Sequence, residues 1–266
     1  MSCRVGIWRA VLTGGLVFTL ALCLLACTGN EDAWKQELPL ETLRVGMDAS
    51  MPPFEYVAAD GSLAGFDVDL ARELGRRLDV DVQFVANLSY DGLYDALAVG
   101  RVDVVISSLV VDPDRMDDFA YSAHYFDAGQ VLVLREGNAE IEGIGDLDAH
   151  TVAVEFGAPG DMVARRWARR RANLIVEPYQ TADEALRAVA DGTVDAAVVD
   201  RVSALAVVGA EAHLVIADTP VAEELYAVAM RREDKRLRCA INATLSEMEA
   251  DGALTALVDE WLRPFD

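Results

Sequence analysis

The chain of 266 residues has almost no lysine, few cysteines and only three histidines. Its lysines are Lys35 and Lys235, so arginine supplies nearly all of the positive charge. The 45 acidic residues outnumber the 23 basic ones and give a formal net charge of −22. A surface this acidic repels phosphate backbones, which excludes nucleic acid as a ligand. The sequence leaves open whether the acidity reflects adaptation to high salt or a genome rich in Arg, Ala and Val codons.

The four cysteines are Cys3, Cys23, Cys27 and Cys239. The first two fall in an N-terminal apolar segment, and a modified Cys27 would leave Cys239 without a disulfide partner. Cys239 follows helical spacing among apolar residues, which predicts a buried thiol. The histidines have no metal-ligand spacing, and no nucleophile elbow, Walker loop or dinucleotide fingerprint is present. We therefore expect no metal, no cofactor and no catalytic residue.

The N-terminus has the pattern of a secretory signal. Arg4 and Arg9 precede an uncharged apolar run that ends in Leu24-Leu25-Ala26-Cys27, which looks like a bacterial lipobox. We expect residues 1–26 to be a lipoprotein signal peptide, Cys27 to carry lipid, and residues 27–40 to form a polar tether. The alternative is an uncleaved transmembrane anchor, for which the run is slightly short.

Strand-like and helix-like runs alternate through the rest of the chain, which is typical of an α/β fold. The predicted strands are Leu43–Met47, Val80–Val85, Val102–Ser107, Gln130–Leu134, Thr151–Glu155, Leu174–Glu177, Val194–Val199, Leu214–Ile216 and Tyr226–Met230. The predicted helices are Asp67–Leu78, Tyr90–Val99, Gly160–Arg171, Ala182–Ala190, Ser203–Val208, Lys235–Ala250 and Ala253–Leu262.

Two segments, Ser89 to Leu109 and Thr181 to Arg201, share one pattern of helix, Gly-x-x-Asp turn and apolar strand. Each is half of a βαβ unit, and two such units indicate two lobes of similar build.

The stretch GMDASMPPFEYVAADGSLAGFDVDLA is the most informative in the chain. Asp48 ends an apolar run, so its carboxylate should lie at the C-terminal edge of a strand, where α/β proteins hold ligands. Pro52 and Pro53 stiffen the loop that follows. Gly61 and Gly65 allow a tight turn, and Asp67 is predicted to cap the next helix.

This stretch resembles the bacterial extracellular solute-binding proteins of family 3, which capture polar amino acids for ABC importers. LRVGM, GFDVDLA, SSLVVDPDR, VAVEFGAPGD and GTVDAAVVD follow in the family's order, over about residues 41–265. The resemblance implies a two-lobed periplasmic-binding-protein fold of type II, with chain crossings near 126–131 and 218–225. Lobe 1 would comprise 41–127 and 221–266, and lobe 2 would comprise 128–220.

The resemblance also implies roles for two charged residues. Arg115 would grip the carboxylate of an amino acid with its planar guanidinium, helped by Ser107, Ser108 and the backbone N–H of Val110. Asp200, after a very apolar strand, would bind the α-ammonium. Two alternatives stay open: Arg115 could pair with a neighbouring aspartate, and Asp200 could cap the next helix.

The remaining candidates would form the pocket wall. Gly157 and Ala158 open a helix whose backbone N–H groups attract anions. Asp48 and Glu155 near the distal end of the ligand would favour a basic amino acid, unless Glu155 faces solvent, in which case the ligand would be neutral. The other wall residues are expected to be Met51, Tyr90 and Phe156, and Phe54, also a candidate for the site, is expected to pack beneath the loop.

We therefore expect a monomeric, lipid-anchored receptor on the outer side of the cell membrane, with a free amino acid and an ABC permease as partners. One alternative is a cyclohexadienyl dehydratase of the same fold, with Glu155 or Asp48 as general acid or base. The other is an extracellular sensor, against which the end of the sequence directly after the lobe counts.

Overall fold

The computed structural model describes residues 38, 40–171, 173–208 and 213–263. The predicted signal peptide and Cys27 lie outside the described residues, as does most of the tether. None of the helices in the described ranges combines the length and the apolar character needed to cross a membrane.

One five-stranded sheet is built from two separate parts of the chain. Its strands are Thr42–Gly46 (β1), Asp81–Val85 (β5), Val104–Val105 (β6), Phe119–Asp127 (β7) and Leu225–Arg231 (β13), in the order β5-β1-β6-β13-β7. The strand β1 runs parallel to β5 and β6, and β13 runs antiparallel to β6 and β7.

The second five-stranded sheet is built from a continuous part of the chain. Its strands are Gln130–Arg135 (β8), Thr151–Glu155 (β9), Ile175–Tyr179 (β10), Ala196–Asp200 (β11) and Leu214–Ile216 (β12), in the order β10-β9-β11-β8-β12. The strand β9 is parallel to β10 and β11, whereas β8 is antiparallel to β11 and β12. Both sheets thus place three parallel strands beside an antiparallel one.

Helices cover both sheets, because the apolar residues of each strand alternate between two faces. In β8, Val131 and Val133 pack into one buried cluster, and Leu132 and Leu134 pack into another. The helices are Phe66–Leu78 (α1), Leu93–Ala98 (α2), Pro159–Ala168 (α3), Ala182–Ala190 (α4), Arg201–Val208 (α5), Lys235–Ala250 (α6) and Ala253–Leu262 (α7). A small sheet of Ser50–Met51 (β2), Glu55–Val57 (β3) and Leu63–Ala64 (β4) lies before α1.

The two similar segments found in the sequence occupy equivalent places. Each supplies the central strand of its sheet, β6 in one and β11 in the other. The aspartates of their Gly-x-x-Asp turns also accept equivalent hydrogen bonds. Asp103 accepts a hydrogen bond from the Arg44 backbone N–H at 3.0 Å, and Asp195 accepts one from the Thr151 N–H at 2.8 Å. Each turn is therefore tied to the parallel strand beside the strand that follows it, β1 in the first sheet and β9 in the second.

The two sheets are joined by two chain segments that run side by side. The chain leaves the first sheet at Asp127, enters the second at Gln130, and returns between β12 and β13. Asp127 Oδ1 accepts the N–H groups of Gly129 and Glu224, both at 2.9 Å, and so binds one segment to the other. A Cβ on Gly129 would lie 2.0 Å from the Ala222 carbonyl oxygen, so only glycine allows this approach.

Three sequence expectations about local structure were wrong. Asp67 does not cap α1, because the helix begins one residue earlier and Gly65 occupies the N-cap, with the Asp67 carboxylate buried instead. Cys239 is exposed on α6 rather than packed in the core. The nine-residue strand β7 was not predicted at all, since its polar residues obscure the apolar pattern of a strand.

Candidate functional site

A cavity of about 330 Å³ lies where the joining segments meet the second sheet. Its walls come from the C-terminal ends of β9 and β11, the start of α3, and both joining segments. In an α/β sheet this edge is where ligands bind. The lining residues are Ala128, Gln130, Glu155, Ala158, Pro159, Gly160, Val198, Val199, Asp200, Val202, Glu224 and Tyr226.

Three carboxylates, Glu155, Asp200 and Glu224, converge on this cavity, and no lysine or arginine is among the described residues that line it. Glu155 and Asp200 are the last residues of β9 and β11, so their strands aim them at the cavity. Asp200 also accepts bonds from the Ser203 N–H at 2.8 Å and the Ser203 hydroxyl at 2.7 Å, near the start of α5. The capping alternative is therefore observed, and it still leaves oxygen lone pairs for a cation.

The turn before α3 brings Ala158 to the cavity but leaves Phe156 68% exposed. Gly157 has a φ of +80°, which is easy only for glycine, and its N–H donates to Asp161 at 3.1 Å. A buried carboxylate thus already takes one donor near this helix start. Gly160 must be glycine because a Cβ would lie 2.5 Å from the Val198 carbonyl oxygen.

The candidates from the first sheet form a second group. The Asp48 N–H donates to the Ser107 hydroxyl at 2.9 Å, and the Asp48 carboxylate accepts the Tyr90 N–H at 2.9 Å. The Ser50 hydroxyl donates to the same carboxylate at 2.7 Å. Met51 and Tyr90 are 47% and 43% exposed, so both side chains are accessible to a ligand.

Tyr90, Val110 and Tyr226 connect the two groups. Val110 and Tyr226 form an isolated β-bridge, and Tyr226 lines the cavity. Burial raises the pKa of the Tyr90 phenol, opposed by the Val110 backbone N–H and reinforced by the charge of Glu224. The Tyr90 side chain therefore lies near Val110 and within electrostatic reach of the cavity carboxylate Glu224.

Ser107 and Ser108 are buried, and their hydroxyls point inward. They donate to Glu55 Oε1 at 2.8 Å and Glu55 Oε2 at 3.2 Å, and the Ser108 N–H donates to Asp67 Oδ2 at 2.6 Å. In this structure the serines support the cleft from beneath, so a direct contact of either one with ligand stays a prediction.

Phe54 is also beneath the site rather than in its wall. Its side chain is buried, and its ring packs against Phe66, Phe126 and Tyr226 with centroid distances of 5.3–5.9 Å. It therefore backs the cavity residue Tyr226, which matches the packing expected for it but not a ligand contact.

Arg115 lies apart from the cavity. Its guanidinium is 4.3 Å from the centre of the Tyr94 ring and its Nε is 3.3 Å from Asp112 Oδ2, with 48% of the side chain exposed. The pairing with a neighbouring aspartate, left open by the sequence, is thus present in this structure. The Tyr94 hydroxyl lies 2.6 Å from the Tyr121 hydroxyl, which places Arg115 at the end of a row of tyrosines.

Sequence reasoning missed Glu224, Gln130 and Tyr226. All three belong to the joining segments or to the strand ends beside them. The available signal was the predicted crossing near 218–225, which holds Glu223 and Glu224. The sequence does not show which of these faces the cavity, and the structure selects Glu224.

The described residues contain no group of three or more His, Cys, Asp or Glu side chains placed to hold a metal ion. The carboxylates that line the cavity can bind an organic cation such as an ammonium or guanidinium group.

Comparison with known proteins places this geometry in a family. The model described as bacterial extracellular solute-binding proteins, family 3, matches residues 43–264. The putative amino-acid ABC transporter-binding protein PatH of Vibrio harveyi is 28% identical over 222 residues, covering 82% of this chain and 88% of PatH. The L-cystine-binding protein TcyJ of Escherichia coli K12 is 29% identical over 223 residues, covering 83% and 82%.

Two solved structures are also similar. An ancestral cationic amino acid solute binding protein is 32% identical, with a TM-score of 0.59 and coverage of 84% of this chain and 96% of that one. An ancestral cyclohexadienyl dehydratase is 27% identical, with a TM-score of 0.69 and coverage of 84% and 92%. The first is a binding protein and the second an enzyme on the same two-lobed framework.

Proposed function

Because the chain belongs to the bacterial extracellular solute-binding proteins of family 3, we propose that it captures a free amino acid with a cationic side chain for an ABC permease. The observation that carries this proposal is the convergence of Glu155, Asp200 and Glu224 on one cavity without a lysine or arginine among its described lining residues. One carboxylate would bind the α-ammonium and the others the basic side chain. The similar ancestral cationic amino acid binding protein supports this choice.

Arg115 is proposed as the partner of the ligand carboxylate. Its half-exposed guanidinium is held over Tyr94 and lightly paired with Asp112, so it is free to exchange that partner for a ligand. A carboxylate buried in a cleft needs such a partner, since the cavity itself offers only negative charge. Closure of the lobes would bring ligand and Arg115 together.

The lobes are proposed to be 41–127 with 221–266, and 128–220. The two sheets and the paired joining segments support this division, because each sheet has its own buried clusters. We further propose that the protein acts as a monomer outside the cytoplasm, anchored through lipid on Cys27, in a periplasm or at a cell surface. If the protein takes up no lipid label in cells grown with labelled palmitate, with Cys27→Ala as the unlabelled control, the anchor is contradicted.

The test of ligand class is thermal unfolding of residues 28–266 with a panel of L-arginine, L-lysine, L-ornithine, L-histidine, L-glutamine and L-cystine. A ligand that binds only the folded state raises the melting temperature. We expect a shift with the basic amino acids, lost in Asp200→Asn and Glu224→Gln. The matched control is Glu223→Gln, which removes the charge of the exposed residue next to Glu224. A shift with neutral amino acids alone would overturn the cationic assignment.

Arg115→Ala should weaken binding of L-arginine by roughly 2–5 kcal/mol, because it leaves a buried carboxylate unpaired. Arg101→Ala is the control, since the Arg101 side chain bonds only to Asn87 at the surface among the described residues. If Arg115 only pairs with Asp112 and does not bind the ligand, Arg115→Ala will leave the affinity for L-arginine unchanged.

The second candidate, a cyclohexadienyl dehydratase, rests on the similar ancestral enzyme. The cavity argues against it, because three carboxylates would repel an anionic ring acid. Incubation with prephenate and arogenate, followed by detection of the aromatic product, tests this directly. Turnover that disappears in Glu155→Gln would favour the enzyme over the receptor.

A further inference from the structure

Glu55 and Asp67 form a pair of fully buried carboxyl groups below the first-sheet side of the cleft. Asp67 Oδ1 is buried and receives no hydrogen bond from any N–H or hydroxyl of the described residues. The groups that act electrostatically on Glu55, or on which Glu55 acts, are Asp67, Tyr90, Tyr125 and Tyr226. None of these is a cation, so two adjacent negative charges here would be offset by hydrogen bonds alone, without a positive charge among these groups.

A proton on Glu55 resolves this conflict, because the protonated carboxyl can donate to the unpartnered Asp67 Oδ1. Burial, followed by the neighbouring charge of Asp67, raises the pKa of Glu55 to about 9. Burial also raises the pKa of Asp67, to about 6, while bonds from the Ser108 N–H and the Tyr125 hydroxyl oppose that rise. Both shifts favour a pair that keeps one proton, and Asp67 Oδ1 is the acceptor that a proton on Glu55 would use.

The pair holds a strained turn in place. Ser108 has a φ of +46°, in the left-handed region that a serine rarely adopts. Its N–H donates to Asp67 at 2.6 Å and its hydroxyl to Glu55 at 3.2 Å. Ser107 joins the pair to the cleft, because it donates to Glu55 at 2.8 Å and accepts the Asp48 N–H at 2.9 Å.

The turn leads directly to the candidate site. Val110 follows it by two residues and pairs with Tyr226 in the cavity wall, while Asp48 accepts the N–H of Tyr90. A shift of the turn would move Val110, which follows it, and Asp48, which is bonded to Ser107. Tyr226 and Tyr90 are paired with these two residues and would be displaced with them.

We propose that Glu55 is a positioning residue for ligand binding, whose buried proton, shared with Asp67, fixes the Ser107–Ser108 turn that holds the lobe 1 side of the cleft. This role rests on the proposed capture of an amino acid in the cleft. Loss of the proton would place two charges in one buried site and release the turn.

The test compares wild type, Glu55→Gln, Glu55→Ala and the exposed control Glu41→Gln. Glutamine stays neutral and can both donate and accept, so Glu55→Gln should restore most of the L-arginine binding that Glu55→Ala loses. The affinity for L-arginine is measured at pH 7 and at pH 10, which is about one unit above the pKa of Glu55. Between these two values the affinity of wild type and of Glu41→Gln should fall about tenfold more than that of Glu55→Gln. The comparison cancels the titration of the amino acid itself, which is common to all variants.

A measurement without ligand separates this proposal from the proposed function. A raised native pKa gives stability that is complete below the unfolded value of 4.5 and is lost as pH rises toward 9. The unfolding free energy of wild type should fall across that window relative to Glu55→Gln. Parallel pH profiles for the two proteins, in stability or in binding, would overturn the role of the proton.

The remaining outcomes are also decisive. If wild type binds no amino acid of the panel, the proposed function fails, and with it the positioning role, while the ligand-free profiles still decide where the proton lies. If Glu55→Ala does not fold, the comparison of wild type with Glu55→Gln carries the test alone.

Discussion

The first and second sheets of this protein arrange their strands in the same way over different interiors. In the first sheet β1 lies between its parallel neighbours β5 and β6, and in the second β9 lies between β10 and β11. Beneath the cleft, the first sheet buries the acids Glu55 and Asp67 together with stacked and tilted aromatic rings. The clusters of fully buried residues in the second sheet are aliphatic.

This difference separates what the topology requires from what the site requires. The shared strand order needs only apolar faces and well-placed turns, which aliphatic residues provide. The buried acids beneath the first sheet cost folding free energy, since buried acids stabilise a fold only when they are fully bonded. Their position directly under Asp48 and the Ser107–Ser108 turn connects that cost to ligand binding.

The largest expected effect comes from the junction between the two sheets. Gly129→Ala would place a Cβ 2.0 Å from the Ala222 carbonyl oxygen and 2.7 Å from the Glu224 nitrogen. Both atoms belong to the backbone, which can move aside only with a large loss of stability, so we expect a loss of about 4 kcal/mol in unfolding free energy. We also expect a loss of the response to L-arginine, because Glu224 would be displaced. Urea unfolding measures the first effect and thermal shift the second.

The matched control for this variant is Gly143→Ala. Nothing lies within 4 Å of a Cβ at Gly143, and its φ of −166° suits any residue. A change below about 0.5 kcal/mol is expected there. Equal losses in the two variants would show that the close approach of the joining segments is not what makes Gly129 necessary.

The second largest expected effect is the difference in stability lost when the aspartate of each Gly-x-x-Asp turn is replaced. Asp103 is 13% exposed and is bonded by the Arg44 side chain at 2.6 Å, the Arg44 N–H and Arg231. Asp195 is 43% exposed and is bonded by the Thr151 N–H and by His150 at 3.3 Å. Asp103→Ala should therefore cost about 3 kcal/mol and Asp195→Ala about 1 kcal/mol in urea unfolding. A larger loss at Asp195 would reverse the ranking of the two turns.

The contribution of Asp103 to the unfolding free energy should depend on pH in a definite direction. Burial would raise the pKa of Asp103, but hydrogen bonds from Arg44 hold it below its ordinary value. A depressed native pKa gives stability that is present above the unfolded value of about 3.8 and is lost as pH falls. The difference between wild type and Asp103→Ala should accordingly shrink under acid conditions.

Periodicity predicted some elements with their full bounds and others not at all. The helices Ala182–Ala190, Lys235–Ala250 and Ala253–Leu262 and the strand Thr151–Glu155 begin and end where expected. Each carries the apolar spacing of one regular element. The predicted strand Val102–Ser107 shortens to Val104–Val105, because the residues after it turn into the buried acid pair, which no local pattern reveals.

The candidate site was predictable where it depends on strand ends, and not where it depends on packing. Asp200 and Glu155 end apolar strands, and both reach the cavity. Whether Glu223 or Glu224 faces the cavity depends on how the joining segments pair, which is a long-range contact. The burial of Glu55 was also invisible, since an acidic residue beside a loop ordinarily indicates an exposed one.

The smallest expected effect compares surface helices of the two lobes. On α1, Glu73 accepts bonds from Arg76 at 2.7 Å and Arg77 at 2.6 Å, and Arg77 also pairs with Asp251 at 2.8 Å. On α4, the one ion pair of Arg187 within the described part of the chain is with Asp183 at 2.8 Å, and both side chains are exposed. Glu73→Gln should cost about 1 kcal/mol, because a network fixes its members, and Arg187→Gln only about 0.3 kcal/mol.

Acid and salt distinguish this network from an ordinary surface pair. Hydrogen bonds from Arg76, partly opposed by burial, lower the pKa of Glu73 to about 2. Its contribution should thus be complete above pH 4.5 and disappear as pH falls toward 2. In 1 M salt the cost of Arg187→Gln should vanish, while part of the Glu73 cost persists because Glu73 is partly shielded from solvent. Identical salt dependence of the two variants in urea unfolding would mean that the α1 network behaves as separate exposed pairs, and that the lobes do not differ at their surfaces as they do beneath the cleft.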